Sequence, residues 1–167
     1  AKVWRQDQKP PRAVVEVHTE QDVQLALPIL DKLQKQQSVP FRIRSGGHSK
    51  AGFSSVADGI ILSLKHLKSR SILVEDYDEP GNNVLATIEP GSTVEDVLDK
   101  FLQHADEHEE LYGGALGQCG KVAEGGWVLG GGVGFMARLL GLGLDNAREF
   151  QVVLANGTAV TANEKEH

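Results

Sequence analysis

The segment from Gly113 to Gly143 reads GGALGQCGKVAEGGWVLGGGVGFMARLLGLG, and it decides how the rest of the chain is understood. Twelve of the 19 glycines fall in this stretch of a 167-residue chain. Each glycine costs conformational entropy in a regular element. The stretch therefore predicts a poor helix and a weak sheet, and suits backbone laid flat against something large and planar. Gly132-Val133-Gly134-Phe135-Met136-Ala137 fits the dinucleotide pattern G-x-G-x-x-A. That fingerprint must follow a buried strand near the start of a βαβ unit. Here Gly125-Gly126-Trp127-Val128-Leu129-Gly130-Gly131 precedes it, which does not read as a strand. A Rossmann reading is excluded.

Working outward, a second glycine-bearing loop is Arg44-Ser45-Gly46-Gly47-His48-Ser49. It directly follows Phe41 to Arg44, a short apolar-basic stretch that reads as a strand. Paired glycines let a backbone turn sharply and approach a ligand, and successive N–H groups in such a turn hold phosphate oxygens. No Lys-Ser/Thr follows, so this is not a nucleotide-triphosphate loop. By itself the loop reads first as an ordinary strand-to-loop turn with an exposed His.

Composition narrows the classes. The chain is 40% hydrophobic and 24% charged, as one globular domain would be. Its net charge of −6 argues against a nucleic-acid binder that works by neutralising phosphates. One Cys rules out an internal disulfide and a Cys-rich zinc site. No stretch approaches the roughly 20 apolar residues of a membrane span. Ala1 to Pro11 lack the shape of a signal peptide, and the absence of an initial Met suggests a processed or trimmed start. Asp106 to Glu110 reads as a solvated acidic loop after a helix, and no metal site is assigned to His104 before it and His108 within it.

The remaining pattern alternates strands and helices. Ala13–Val17, Phe41–Arg44 and Gly59–Leu64 read as strands. Thr19 with Asp22 makes a capping box for a helix whose Val23, Ala26, Leu27, Leu30 and Leu33 form one apolar stripe. Pro28 lies inside it and should kink or shorten it. Ser71–Glu75 and Val84–Glu89 read as a strand pair, and Ser92 with Glu95 as a second capping box. Val94, Val97, Leu98 and Phe101 should line one face of the helix that follows. Asn156-Gly157 between Glu149–Leu154 and Thr158–Thr161 is a hairpin signal, so the sequon Asn156-Gly157-Thr158 is treated as incidental.

Taken in order, Arg-Ser-Gly-Gly-His-Ser, Pro90-Gly91-Ser92, Gly117-Gln118-Cys119, Gly-Gly-x-x-x-Gly-Gly-Gly-x-Gly and Gly141-Leu142-x-x-Asp145-Asn146 form one constellation. It resembles the PCMH-type FAD-binding domain of the berberine-bridge-enzyme-like FAD-linked oxidases, a branch of the vanillyl-alcohol-oxidase flavoprotein superfamily. The resemblance covers nearly the whole chain from about Arg12. It implies an α+β fold of two small α/β subdomains clasping FAD. Residues 1–11 would be an N-terminal extension and 12–167 the FAD-binding domain, divided into 12–66 and a C-terminally incomplete 67–167.

The resemblance also implies roles. Arg44, Ser45, Gly46, Gly47, His48 and Ser49 would cradle the FAD pyrophosphate, with His48 joined to the flavin 8α-methyl. Cys119 falls where bicovalent relatives attach flavin C6. Pro90, Gly114, Gly120, Val122, Gly125, Gly126, Trp127, Gly130, Gly131, Gly132, Gly134 and Asp145 would complete the cofactor-binding set. Many relatives read Cys-Pro-Thr-Val-Gly where this chain has Cys119-Gly120-Lys121-Val122-Ala123. Lys121 either favours the thiolate of Cys119 or makes a surface Lys-Glu pair, and the alternative for Cys119 itself is a buried small hydrophobe. Relatives continue into a substrate domain that would supply the catalytic base. Tyr77 and Tyr112 match no catalytic motif, so no catalytic side chain is assigned here.

The implied function is the flavin-holding part of an oxidase. Hydride would pass from an alcohol, sugar or alkaloid-like substrate to flavin N5, with O2 as acceptor. The alternatives are a non-catalytic FAD-fold subunit of a larger assembly, completed by a partner, and a reductase-type relative holding FAD without covalent links.

Overall fold

In the computed structural model, residues 10–68, 74–76, 84–109 and 112–166 are described. Three short parallel strands, β1 (Ala13–Glu16), β2 (Phe41–Arg44) and β3 (Ile60–Ser63), form a sheet in the order β1-β3-β2. Glu16, Ser63 and Arg44 stand side by side at its carboxyl edge. The central strand is buried on both faces, with Ile61, Leu62 and Ser63 each at most 1% exposed. Its unbroken Ile-Ile-Leu run is what a covered parallel strand requires.

Helix α1 (Glu20–Gln37) crosses from β1 to β2, opened by the reciprocal Thr19–Asp22 capping box. It sets Leu27 and Leu30 into a core with Val17, Leu62 and Leu67. Pro28 does not interrupt it, because the helix continues to Gln37. The proline removes the N–H that Gln24 O would receive in the helix. Gly157 of the C-terminal hairpin lies over that carbonyl: a Cβ on Gly157 would come 2.5 Å from Gln24 O.

Earlier in the chain β4 (Val74–Asp76) and β5 (Val84–Ala86) form a separate antiparallel pair, and the C-terminal hairpin pairs β6 (Glu149–Val153) with β7 (Ala159–Asn163). The strand pair read over Ser71–Glu75 and Val84–Glu89 is shorter here, and residues 69–73 and 77–83 lie outside the described residues. The hairpin turn is closed by Gly157 N–H to Leu154 O at 2.8 Å, with Gly157 at φ +85°. Glycine takes the left-handed position, and Val153 of the same hairpin packs on the α1 core.

Helix α2 (Val94–His108) begins one residue later than the Ser92–Glu95 pattern suggests: Thr93 and Asp96 form the box. Both pairs satisfy the same motif, and Ser92 is instead buried at 1% exposure with its carbonyl accepting Glu124 N–H. Val94, Val97 and Phe101 are buried as the stripe requires, whereas Leu98 is 45% exposed. The acidic stretch is no loop over Asp106 to His108, which belong to α2; Glu109 caps it and Glu110 lies outside the described residues. The glycine-rich stretch holds two short helices, α3 (Glu124–Leu129) and α4 (Ala137–Leu140), with a 3-10 turn over Leu144–Asn146. Helix therefore survives the glycines for single turns, which short lengths and outside hydrogen bonds permit.

Leu62→Ala, at a fully buried position on the central strand, is expected to cost about 2–5 kcal/mol in urea unfolding.

Candidate functional site

The two glycine loops meet. A Cβ placed on Gly46 would come 2.9 Å from Ala123 N and 3.2 Å from Lys121 O, so only glycine lets the first loop touch the second. The meeting point is held from below by the start of α2. Val94 N–H donates to Val122 O at 2.9 Å and Glu95 N–H to Gly120 O at 3.1 Å. In return Glu124 N–H donates to Ser92 O at 2.9 Å, and Thr93 and Ala123 form an antiparallel bridge. The first turn of a helix has N–H groups without helical partners. Here the second loop supplies carbonyls to two of them.

The first loop presents donors. Among the described residues, the five consecutive N–H groups of Ser45 to Ser49 have no hydrogen-bond partner, and Gly47 adopts φ +72°. Such a run is a nest for anionic oxygens. The Arg44 guanidinium, the Ser45 hydroxyl and the half-buried His48 imidazole likewise have no hydrogen-bond or ion-pair partner among the described residues. Ser49 Oγ accepts Phe53 N–H at 3.2 Å, which leaves its own hydrogen to donate.

In the second loop, Trp127 organises the glycines. Its indole N–H donates to Val133 O at 2.9 Å. Gly117, Gly134 and Gly143 lie against its ring, and a Cβ on Gly143 would fall inside it. Gly132, at φ +76°, packs on Gly143, whose N–H donates to Gly132 O at 2.8 Å. Pro90 packs on Gly125 and accepts its N–H at 3.3 Å. Asp145 turns its carboxylate to Leu142 N–H at 2.8 Å beside Gly141, so it braces the loop's own backbone. Gly114, Gly126 and Gly131 differ from all of these, because nothing lies within 4 Å of where a Cβ would stand. The N–H groups of Gly132 and Gly134 have no partner among the described residues, while that of Gly130 donates to Trp127 O.

Cys119 is exposed, which removes the alternative of a buried small hydrophobe. Lys121 pairs with Glu95 and not with Glu124, and the hydrogen bond to Glu95 holds its ammonium above the ordinary range. Glu124 is only 6% exposed, and burial pushes its carboxyl up to about 7 against the opposing hydrogen bond from Gly117 N–H. Nothing in the sequence marks Glu124 beyond its place at the start of a short helix.

These features suit a long ligand with an anionic centre and a flat end: free N–H groups and an unpaired guanidinium in one loop, open glycine faces in the other. The family comparison supplies the ligand. A model described as FAD binding domain matches residues 11–163. The chain belongs to that family, and its cofactor is FAD. It is similar to an uncharacterized FAD-linked oxidoreductase of Arthroderma benhamiae, 36% identical over 132 residues, covering 78% of this chain and 24% of that protein. Berberine bridge enzyme-like 24 of Arabidopsis thaliana is 32% identical over 127 residues, covering 74% of this chain and 21% of the relative. The solved glucooligosaccharide oxidase of Acremonium strictum superposes with a TM-score of 0.71 at 28% identity, over 95% of this chain and 30% of that one. That oxidase carries 6-S-cysteinyl, 8α-N1-histidyl FAD. The chain thus has a PCMH-type FAD-binding fold and spans about a quarter of the length of these curated relatives.

Gly143→Ala drives a methyl into the Trp127 ring, so it is expected to cost about 1–3 kcal/mol and to shift Trp127 fluorescence to the red.

Proposed function

We propose that this chain is the FAD-holding part of an FAD-linked oxidase acting on a small organic substrate, an alcohol, sugar or alkaloid-like molecule, with O2 as the final acceptor. The observation that carries this reading is the contact of Gly46 with Lys121–Ala123. It joins a loop rich in free N–H groups, bearing His48, to one bearing an exposed Cys119. When bound, FAD supplies the redox chemistry, accepting hydride from a substrate C–H.

The protein's own residues bind and orient. The N–H groups of Ser45 to Ser49, with Arg44, hold the pyrophosphate. His48 would hold the flavin through its 8α-methyl and Cys119 through C6; each bond replaces a ring-system C–H and the imidazole N–H or thiol S–H, and the two protons and two electrons released would pass to O2. Two attachments, one from each of the loops that meet at Gly46, would fix the pose of the ring. Gly114, Gly126 and Gly131 offer backbone with no side chain in the way. The free N–H groups of Gly132 and Gly134 stabilise negative charge at the ring, as oxyanion-hole donors do. Trp127, Pro90, Gly125 and Asp145 hold the second loop in shape, and Gly120 and Val122 tie it to α2 through their carbonyls.

Substrate and catalytic base belong to a further domain or partner subunit in this reading. Leu129, Phe135 and Leu139, on and beside the glycine-rich loop, are 76%, 79% and 76% exposed, an apolar surface that such a partner would cover. Among the described residues no helix is long and apolar enough to cross a membrane.

Gly126→Ala separates cofactor binding from folding. With open space around it in a helix, the alanine is expected to raise stability of the cofactor-free chain by about 0.5–1 kcal/mol. FAD titration followed by flavin fluorescence is expected to show at least tenfold weaker binding. Unchanged FAD affinity would contradict the placement of the cofactor on this face.

A further inference from the structure

Glu124 is a charged residue type in a place that gives it almost nothing to pair with. It is 6% exposed, its Oε1 is buried with no hydrogen-bond partner, and Gly117 N–H is its one backbone donor. It lies at the point where three pieces meet. Its own N–H is bound to Ser92 O ahead of α2, its neighbour Ala123 bridges Thr93 and touches Gly46, and Gly125 behind it packs on Pro90. An ionised carboxylate left unpaired in such a place is unfavourable, and the neutral acid is the form a desolvated site accepts.

The ionisable groups on the surrounding elements do not relieve this. Asp96 is committed to Thr93 and Lys68, and Glu95 to Lys121. Glu89 before α2, Cys119 on the same loop, and Arg44 and His48 on the first loop complete the set. None of them enters the balance at Glu124, which burial dominates and the Gly117 hydrogen bond opposes.

We propose that Glu124, buried with its Oε1 unpaired, is the positioning residue of this junction. It keeps Gly117–Ala123 in register on the start of α2 and against Gly46, and its ionisation loosens the two-loop cradle. Its role in folding is independent of the cofactor, and only its effect on binding rests on the FAD reading above.

The sign follows from proton counting. The folded carboxyl titrates at about 7 and the unfolded one at an ordinary 4.5, so between these values the folded state holds a proton the unfolded state has released. Raising the pH through this window favours unfolding, by up to tenfold per pH unit in the folded-to-unfolded ratio, and the effect levels off above it.

The test is urea unfolding of the chain from pH 4.5 to 8, read by Trp127 fluorescence in a Trp4→Phe background, beside Glu124→Gln. The wild-type stability is expected to fall across the window, and Glu124→Gln, which mimics the neutral acid, to lose that part of the slope. A Glu124→Gln chain with the wild-type slope overturns the proposal. Should the variant not fold, 13C NMR of the glutamate Cδ atoms in the unaltered chain decides. One carbon titrating near 7 supports the proposal, and none outside the ordinary range overturns it. FAD affinity, measured in the same series, should weaken as pH rises through 7 in the wild type and stay level in Glu124→Gln. Absence of any FAD binding beside an intact stability slope would overturn the cofactor reading and leave the role of Glu124 in the junction standing.

Discussion

The structure depends on what the start of α2 does with its unpaired backbone donors. The first N–H groups of a helix need acceptors from outside it. Val94 and Glu95 take theirs from Val122 and Gly120, and Asp96 takes the Thr93 hydroxyl. Through these bonds a loop with little regular structure of its own acquires a fixed path. Once Gly120 to Ala123 is pinned, Gly46 can rest on it, and the loop after β2 shares one junction with the glycine-rich stretch. A Cβ at Gly46 would separate them, and the unpaired N–H run of Ser45–Ser49 would lose its neighbour.

The glycines divide by what they meet. Gly46, Gly125, Gly132, Gly134 and Gly143 are fitted against other parts of the chain, so each is a packing requirement. Gly113, Gly114, Gly126 and Gly131 meet nothing. Gly131, at φ +100°, is already called for by its backbone, whereas glycine at the other three open positions gains the fold nothing and costs entropy. Those residues make physical sense where a ligand or another surface comes to lie against bare backbone. Composition alone cannot separate the two groups, because both appear as the same letter at similar spacing.

Much of the architecture was legible because it is locally encoded. The Thr19–Asp22 box, the Leu27–Leu30 stripe, the apolar run of β3 and the turn at Gly157 each carry their signal within a few residues. The motif order across both loops was enough to point to the FAD-binding family, which the family match over residues 11–163 shows. What was not legible is tertiary. Ser92–Glu95 and Thr93–Asp96 are equally good boxes in sequence, and Ser92 is drawn away by Glu124. Pro28 sits inside a helix that runs on to Gln37, and Gly157 of a distant hairpin packs against Pro28 and the Gln24 carbonyl. Lys121 finds Glu95, 26 positions away, in preference to Glu124 nearby, and Glu124 is buried where a charge would not be expected.

The central claim is that one FAD bridges the two loops through His48 and Cys119. Tryptic mass mapping of the FAD-loaded protein tests it most directly, since cleavage isolates Ser45–Lys50 and Phe101–Lys121 as the peptides that carry those residues. Both peptides are expected to leave their unmodified masses and appear as one cross-linked species bearing a single FAD. Recovery of both peptides at their unmodified masses, from protein shown to hold FAD before denaturation, would contradict it.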